Sequence, residues 1–253
     1  MCSMHISRVG FSPLKGARHS EHDSVEFSLD GPVGDRVFAA VDVAAGRVLK
    51  TVENPALLSC EARWDDGVLS VTVDGQTYSG RPAPAGDELE LDYWGRPAAV
   101  RVVPGPWADP LSRLLGREVA LAHAAAPGAV VYGDSVSIVT TGSLDRLRDA
   151  VGHDVEPGRF RATLVIDTDD ADPHVEDSWA GREIDVGTAR LRVAGGIARC
   201  AVIDLDPRTA TSGSRLLKSL AGYRLRAGDI DFGVYATVVR PGLVARGDEV
   251  RLA

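Results

Sequence analysis

The chain has 253 residues and a formal net charge of −8, from 36 acidic and 28 basic side chains; that length carries one large or two small domains around a real hydrophobic core. Acid in excess, with the arginines scattered, excludes the basic stripe of a nucleic-acid binder. Cys2, Cys60 and Cys200 form no close pair, which argues against a zinc CxxC site or a disulfide scaffold and points to a reducing, cytoplasmic setting.

The opening segment "MCSMHISRVGFSPLKG" has no apolar signal core. No stretch approaches the roughly 20 apolar residues that span a bilayer, so no membrane association is expected. Alternating apolar and polar residues predict strands at "RVFAAVDV" (36–43) and "GVLSVTVDGQTYSG" (67–80), the second folded at an Asp74-Gly75 hairpin turn. "AAVRVV" (98–103) predicts another. The proline-rich "PGPWADP" (104–110) then marks a domain boundary, with residues 1–105 on one side and 106–253 on the other. A short helix follows at "ADPLSRLLGR", with Asp109 near its start. "VSIVTTGSLDRLRDAVG" passes from strand to helix, with Ser143 as the expected N-cap. Further strands are predicted at 159–167, 188–195, 199–205 and 231–239, with one helix in "SGSRLLKSLAGYR" between the last two. The expected fold is therefore mainly β with a few helices, in two β-rich units.

Several weak chemical signals lie on this frame. Cys200 follows Arg199, whose charge favours the thiolate that ligates metals or attacks electrophiles; in a strand "CAVIDL" the alternative is a packed, inert thiol. Arg159 and Arg161, two apart in a strand, would share one face and suit a phosphate or carboxylate, or else pair with nearby acids. Lys15 in "SPLKG" and Arg36 in "GPVGDR" add cations on turns. Glu176 and Asp177 in "VEDSW" offer paired carboxylates for proton transfer, or a capped turn with Trp179 in the core. The six histidines show no HxH or HExxH spacing, and there is no GxSxG, P-loop or GxGxxG.

Taken in order, these segments resemble one family. "SPLKG" is similar to YPVKS, "GPVGDRVFAAVD" to GLxxDRxWxVxD, "NPALL" to EPxLxLI, "VTTGSL" to LSEASL and "GRFRATLVID" to RFRPNIVI. "VEDSW" is similar to EDSW, "RCAVIDLDPRT" to RCxxTxxDPxTG, and the final "FGVYATVVRPGLVARGDEV" to FGxxxxxxxxGxIxVGDxV. These are motifs of the MOSC proteins, named after the C-terminal domain of molybdenum cofactor sulfurase, and in particular of the two-domain kind that includes the mitochondrial amidoxime-reducing component. The chain differs at Gly16, Val52, Thr163 and Ala198, where relatives carry more polar side chains.

The resemblance implies an N-terminal β-barrel domain followed by a MOSC β-barrel domain. It implies a molybdenum-molybdopterin cofactor with Cys200 as the catalytic metal ligand and Lys15, Arg36, Thr140, Ser143, Arg161, Thr163 and Arg199 around it, the first turn of the helix after Gly142 helping to cradle an anion. The implied activity is reduction of N–O bonds in N-hydroxylated small molecules by oxygen-atom transfer, with electrons from a separate electron-transfer protein and with Asp204, Glu176 or Asp177 as candidates for proton transfer. Two alternatives stay open: a sulfur carrier with a persulfide on Cys200, and a molybdenum-free enzyme of specialised metabolism.

Overall fold

In this computed structural model, residues 4–169 and 172–253 are described; Cys2 lies outside them. The predicted hairpin forms: Val68–Val73 pairs antiparallel with Gln76–Gly80, and Asp74 and Gly75 take φ of 49° and 78°. Leu69, Val71 and Val73 are buried on one face, and Glu61–Asp65 adds a third strand. Beside this sheet Phe38–Asp42, Arg47–Val48, Leu89–Tyr93, Arg96–Val102 and Ala120–Ala124 close into a barrel. The alternation predicted for Phe38–Asp42 is absent, because Phe38, Ala39, Ala40 and Val41 are all buried. Phe38 and Ala40 face a cluster containing Leu57, Leu69 and Trp107, whereas Ala39 and Val41 face another containing Tyr93 and Val100. A strand covered on both sides is apolar throughout.

The helix predicted after the prolines is α1 (Ala108–Leu115), ended by Gly116 in the left-handed conformation. Residues beyond the boundary expected at 105/106 pack with those before it. Trp107 is buried with its indole N–H donating to the carbonyls of Leu69 (3.3 Å) and Tyr78 (3.1 Å), so the proline-rich run is anchored inside the first unit. Ala120–Ala124, which pairs with both Arg96–Val102 and Phe38–Asp42, completes that barrel well past residue 105.

The second unit uses both ends of the chain. Met4–Phe11 lies between Leu164–Asp167 and Glu249–Leu252. The sheet continues through Glu183–Val186 and Ala189–Ala198 to Asp229–Arg240, which pairs back onto Val136–Thr140, itself parallel to Leu164–Asp167. The sheet thus returns on itself around Ile6, Ile138, Leu164, Ile184, Val193 and Val234. Helix α2 (Thr141–Val151) connects the parallel pair, and α3 (Leu216–Arg224) shares an apolar cluster with it around Phe160 and Phe232. No helix of the described residues is long and apolar enough to cross a membrane.

Because the chain starts in the second unit, enters the first and returns, two crossing segments run side by side. The Arg36 amide donates to the Ser12 carbonyl (2.8 Å), Phe38 to Pro13 (2.8 Å) and Lys15 to Phe38 (2.7 Å). This cross-bracing sets Lys15 and Arg36 at the junction.

Candidate functional site between the two barrels

A cleft of about 400 Å3 opens at that junction; Lys15, Arg36, Arg159, Arg161, Arg199 and Cys200 all line it. A smaller hollow of about 310 Å3 shares Arg36, but Val33, Val37, Ala124 and Val131 form much of its wall, and no cysteine of the described residues lines it.

Cys200 does not stand in a strand. Ala189–Ala198 ends before it, and Cys200 precedes a 3₁₀ turn, Ala201–Asp204, in extended backbone at φ −125°. The thiol is exposed in the cleft rather than packed. Polar brackets explain the departure from the sheet. Arg159 Nη1 donates to the Leu205 carbonyl (2.8 Å), Asp206 Oδ1 accepts the amides of Arg208 (2.8 Å) and Thr209 (3.0 Å), and Asp204 Oδ1 accepts the Leu217 amide near the start of α3 (3.0 Å). Cys60 is the packed thiol: it is fully buried, and burial pushes it up to about 12.

The strand predicted at 159–167 is shorter than expected. Pro157–Phe160 forms a 3₁₀ turn, Arg161 is left-handed at φ 51°, and pairing begins only at Leu164. Arg159 and Arg161 therefore share no strand face: Arg159 turns to Leu205 and Ser214, and Arg161 Nη1 donates to the Ala17 carbonyl (2.6 Å). Arg199 is fixed by bonds from Nε to the Phe232 carbonyl (2.7 Å) and from Nη1 to the Phe160 carbonyl (2.9 Å). Its Nη2 has no partner among the described residues.

Charge in the cleft is unbalanced. Lys15 is buried, with Nζ 4.7 Å from the centre of the Tyr93 ring. Burial, then the neighbouring Arg36 and Arg161, push its amine down to about 7 against the pull of Asp35. Burial first and Arg36 second push Arg161 down to about 10, and burial does the same to Arg199. Asp35 is already engaged, accepting from Arg36 Nε (2.7 Å). Cations that depress one another are relieved by an anion, which restores each one's preference for the charged form. Gly16 beside Lys15 has a backbone cause: at φ 88°, a Cβ there would come within 2.9 Å of Leu57 Cδ1.

Three expected site residues lie elsewhere. Thr140, not Ser143, is the N-cap of α2, its Oγ1 accepting the Ser143 amide (3.3 Å). Both side chains are fully buried against Glu176: Thr140 Oγ1 donates to Oε2 (2.8 Å) and Ser143 Oγ to Oε1 (2.6 Å). The helix terminus expected to cradle a ligand anion thus holds the protein's own carboxyl group. Thr163 is buried behind the cleft, its Oγ1 3.3 Å from the Oγ of Ser137, which does line it. Nor do the candidates for proton transfer face the cleft. Glu176 is buried in the network just described, Asp177 pairs with Arg224 (2.8 Å), and Asp204 accepts the Leu217 amide in the first turn of α3.

Tyr93, Trp94, Tyr132 and Ser137 line the cleft outside the quoted motifs, and Tyr235 lines it from an unspecified position of the last one. The one signal in the sequence is the Trp94-Gly95 pair, a turn dipeptide; the structure adds that Gly133, at φ 78°, leaves the space where a Cβ would lie 2.5 Å from the Tyr235 ring.

A family model for the MOSC domain matches residues 123–251, just over half of the chain. Over 77 residues the chain is 39% identical to molybdenum cofactor sulfurase from Danio rerio; the match covers 30% of this chain and 8% of that protein. Among solved structures, YUAD protein from Bacillus subtilis is similar over 98% of this chain and 94% of its own, with 14% identity and a TM-score of 0.44. YiiM from Geobacillus stearothermophilus is similar over 47% of this chain and 54% of its own, with 15% identity and a TM-score of 0.35. The match over residues 123–251 identifies the chain as a member of the MOSC domain family.

Proposed function

We propose that the cleft binds the molybdenum cofactor and that the protein reduces N–O bonds of N-hydroxylated small molecules there. One observation carries the proposal: an exposed thiol and a partly buried, under-neutralised group of cations share one cleft. The donor set fits the two chemical demands of that cofactor, a soft ligand for the metal and positive charge for a phosphate-bearing pterin. Cys200 Sγ would hold the metal. Lys15, Arg36 and Arg161 would take the anionic part, and Arg199, fixed by two carbonyls, would add a positive field beside Cys200. When bound, the cofactor supplies two-electron oxygen-atom transfer.

The chain's own contribution is to bind, orient and exclude water. Tyr93 and Phe160 are buried walls of the cleft. Burial raises the Tyr235 phenol, and its hydroxyl lines the cleft as a hydrogen-bonding group. Electrons would come from a separate electron-transfer protein, and the setting would be cytoplasmic. Protein made in a cofactor-competent host, with a reduced viologen as donor, should convert an N-hydroxylated amidine to the amidine, and Cys200→Ser should not. A protein that holds cofactor yet reduces no such compound contradicts the activity.

The accessible Cys200 beside a fixed guanidinium also supports a second reading, in which the thiolate carries a persulfide and hands on sulfur. Sulfur released from Cys200 by cyanide, in protein that holds no pterin, would favour the carrier over the reductase.

A further inference from the structure

We propose that Trp94 and Tyr132 form an aromatic ledge at the mouth of the cleft that selects substrates carrying a flat aryl group next to the reacting nitrogen. The proposal rests on the assignment of the cleft as the place where a small N-hydroxylated molecule reacts.

The observation that leads here is a turn. Tyr93 and Arg96 pair across a two-residue hairpin loop in which Trp94 and Gly95 both have positive φ, 59° and 76°. Three other hairpins of the described residues have loops of the same hand, and their first positions hold Asp66 (51°), Asp74 (49°) and Ala227 (49°). Small or short polar side chains are the ones that tolerate this conformation, and a bulky ring there is an outlier. Burial does not compensate Trp94, which is 46% exposed. Strain that packing leaves unexplained is a pointer to function.

Its surroundings supply that function. The Trp94 ring centre lies 5.1 Å from that of Tyr132, itself 58% exposed, and Lys50 Nζ lies 4.4 Å from the Trp94 ring centre. Trp94, Tyr132 and the exposed Val52 all line the cleft mouth. The two rings touch, so nothing fits between them, and they form a shelf rather than a sandwich. Both rings keep exposed surface beside the Lys50 contact, and a ligand in the cleft can meet that surface there. One added aromatic contact is worth a preference of about fivefold to tenfold over a saturated group of equal size.

The test uses matched pairs on molybdenum-loaded protein, wild type and Trp94→Asn. N-hydroxybenzamidine and N-hydroxycyclohexanecarboxamidine are compared by KM. Benzamide and cyclohexanecarboxamide, which lack the N–O head, are compared by ligand-detected NMR. Wild type should favour the phenyl member of each pair by about fivefold to tenfold. Trp94→Asn should bring the ratio to within twofold of unity with unchanged molybdenum content and an unchanged or higher Tm, because Asn accepts the left-handed turn. Tyr132→Leu, outside that turn, should lower the ratio in the same direction.

An aryl preference that survives in both variants overturns the proposal, as does its absence from both pairs in wild type. A fall in Tm for Trp94→Asn with the preference intact would make the ring a structural brace, and a fall in its molybdenum content would make it part of the cofactor's seat; either overturns the ledge. If wild type reduces neither amidine while the amide pair keeps its Trp94-dependent preference, the reductase assignment fails and the ledge stands.

Discussion

Two polar clusters in this molecule differ in who answers their charge. At the start of α2, Thr140 and Ser143 aim their hydroxyls at Glu176, and all three are fully buried. In the cleft, Lys15, Arg36, Arg159, Arg161 and Arg199 outnumber the one carboxylate of its described lining, Asp134, with Asp35 already engaged by Arg36 and an exposed thiol beside them. A helix N-terminus and a cation cluster both suit an anion. Among the described residues, the helix start is answered by a carboxyl group at hydrogen-bond distance, whereas the cations of the cleft outnumber its carboxylates. Donor geometry therefore marks a candidate, and the excess of cations over internal carboxylates separates a binding site from a structural one.

Mutation should pull the two clusters in opposite directions. The largest effect is expected from Glu176→Ala, which strands two buried hydroxyl donors and should cost about 2–4 kcal/mol in chemical denaturation, while sulfate affinity at the cleft stays unchanged. Lys15→Met should do the reverse. Replacing a buried cation that its neighbours oppose should raise stability by about 1–2 kcal/mol, and sulfate affinity should fall. Loss of stability in Lys15→Met would mean that Asp35 outweighs the surrounding arginines.

The same lysine gives the cleft a pH dependence. With its amine at about 7 in the free protein, Lys15 loses its proton as pH rises through that value, and a bound anion favours the charged form. Sulfate, which has no proton of its own to lose in this range, should bind with full affinity below pH 7. Above it, affinity should fall by up to about tenfold per pH unit until the pKa of the bound state is reached. Calorimetric titration across pH 6–9 reads this directly, and the slope should vanish in Lys15→Met. Thr140→Ala loses both the N-cap and one of the two hydroxyls on buried Glu176, so it should cost about 2 kcal/mol, less than Glu176→Ala and with the cleft cations unchanged.

What was legible in the sequence follows the range of the interactions involved. The Asp74-Gly75 hairpin and α1 form as read because their signals lie within a few residues. The proline-rich run expected to divide the chain at 105/106 gives no sign that Trp107 closes its hydrogen bonds on Leu69 and Tyr78, more than 25 residues earlier. The strand expected at Cys200 failed because Arg159 and the Asp206 turn draw the segment off the sheet, and the apolar run "CAVIDL" records neither. Ser143 misled because the carboxyl group that occupies the helix start comes from residue 176. Cys200, Lys15, Arg36, Arg161 and Arg199 do converge on one cleft, as the order of the motifs implies. The tyrosines and Trp94 beside them come from other strands and loops and leave little pattern of their own.

The central claim is that Cys200 and the cation cluster hold one cofactor together. Its most direct test is elemental analysis of molybdenum, with assay of the pterin's fluorescent oxidation product, in wild type and Cys200→Ser made in a cofactor-competent host. The account predicts molybdenum and pterin near one per chain in wild type and loss of molybdenum in the variant. A well-folded wild type from the same host that contains neither would contradict it.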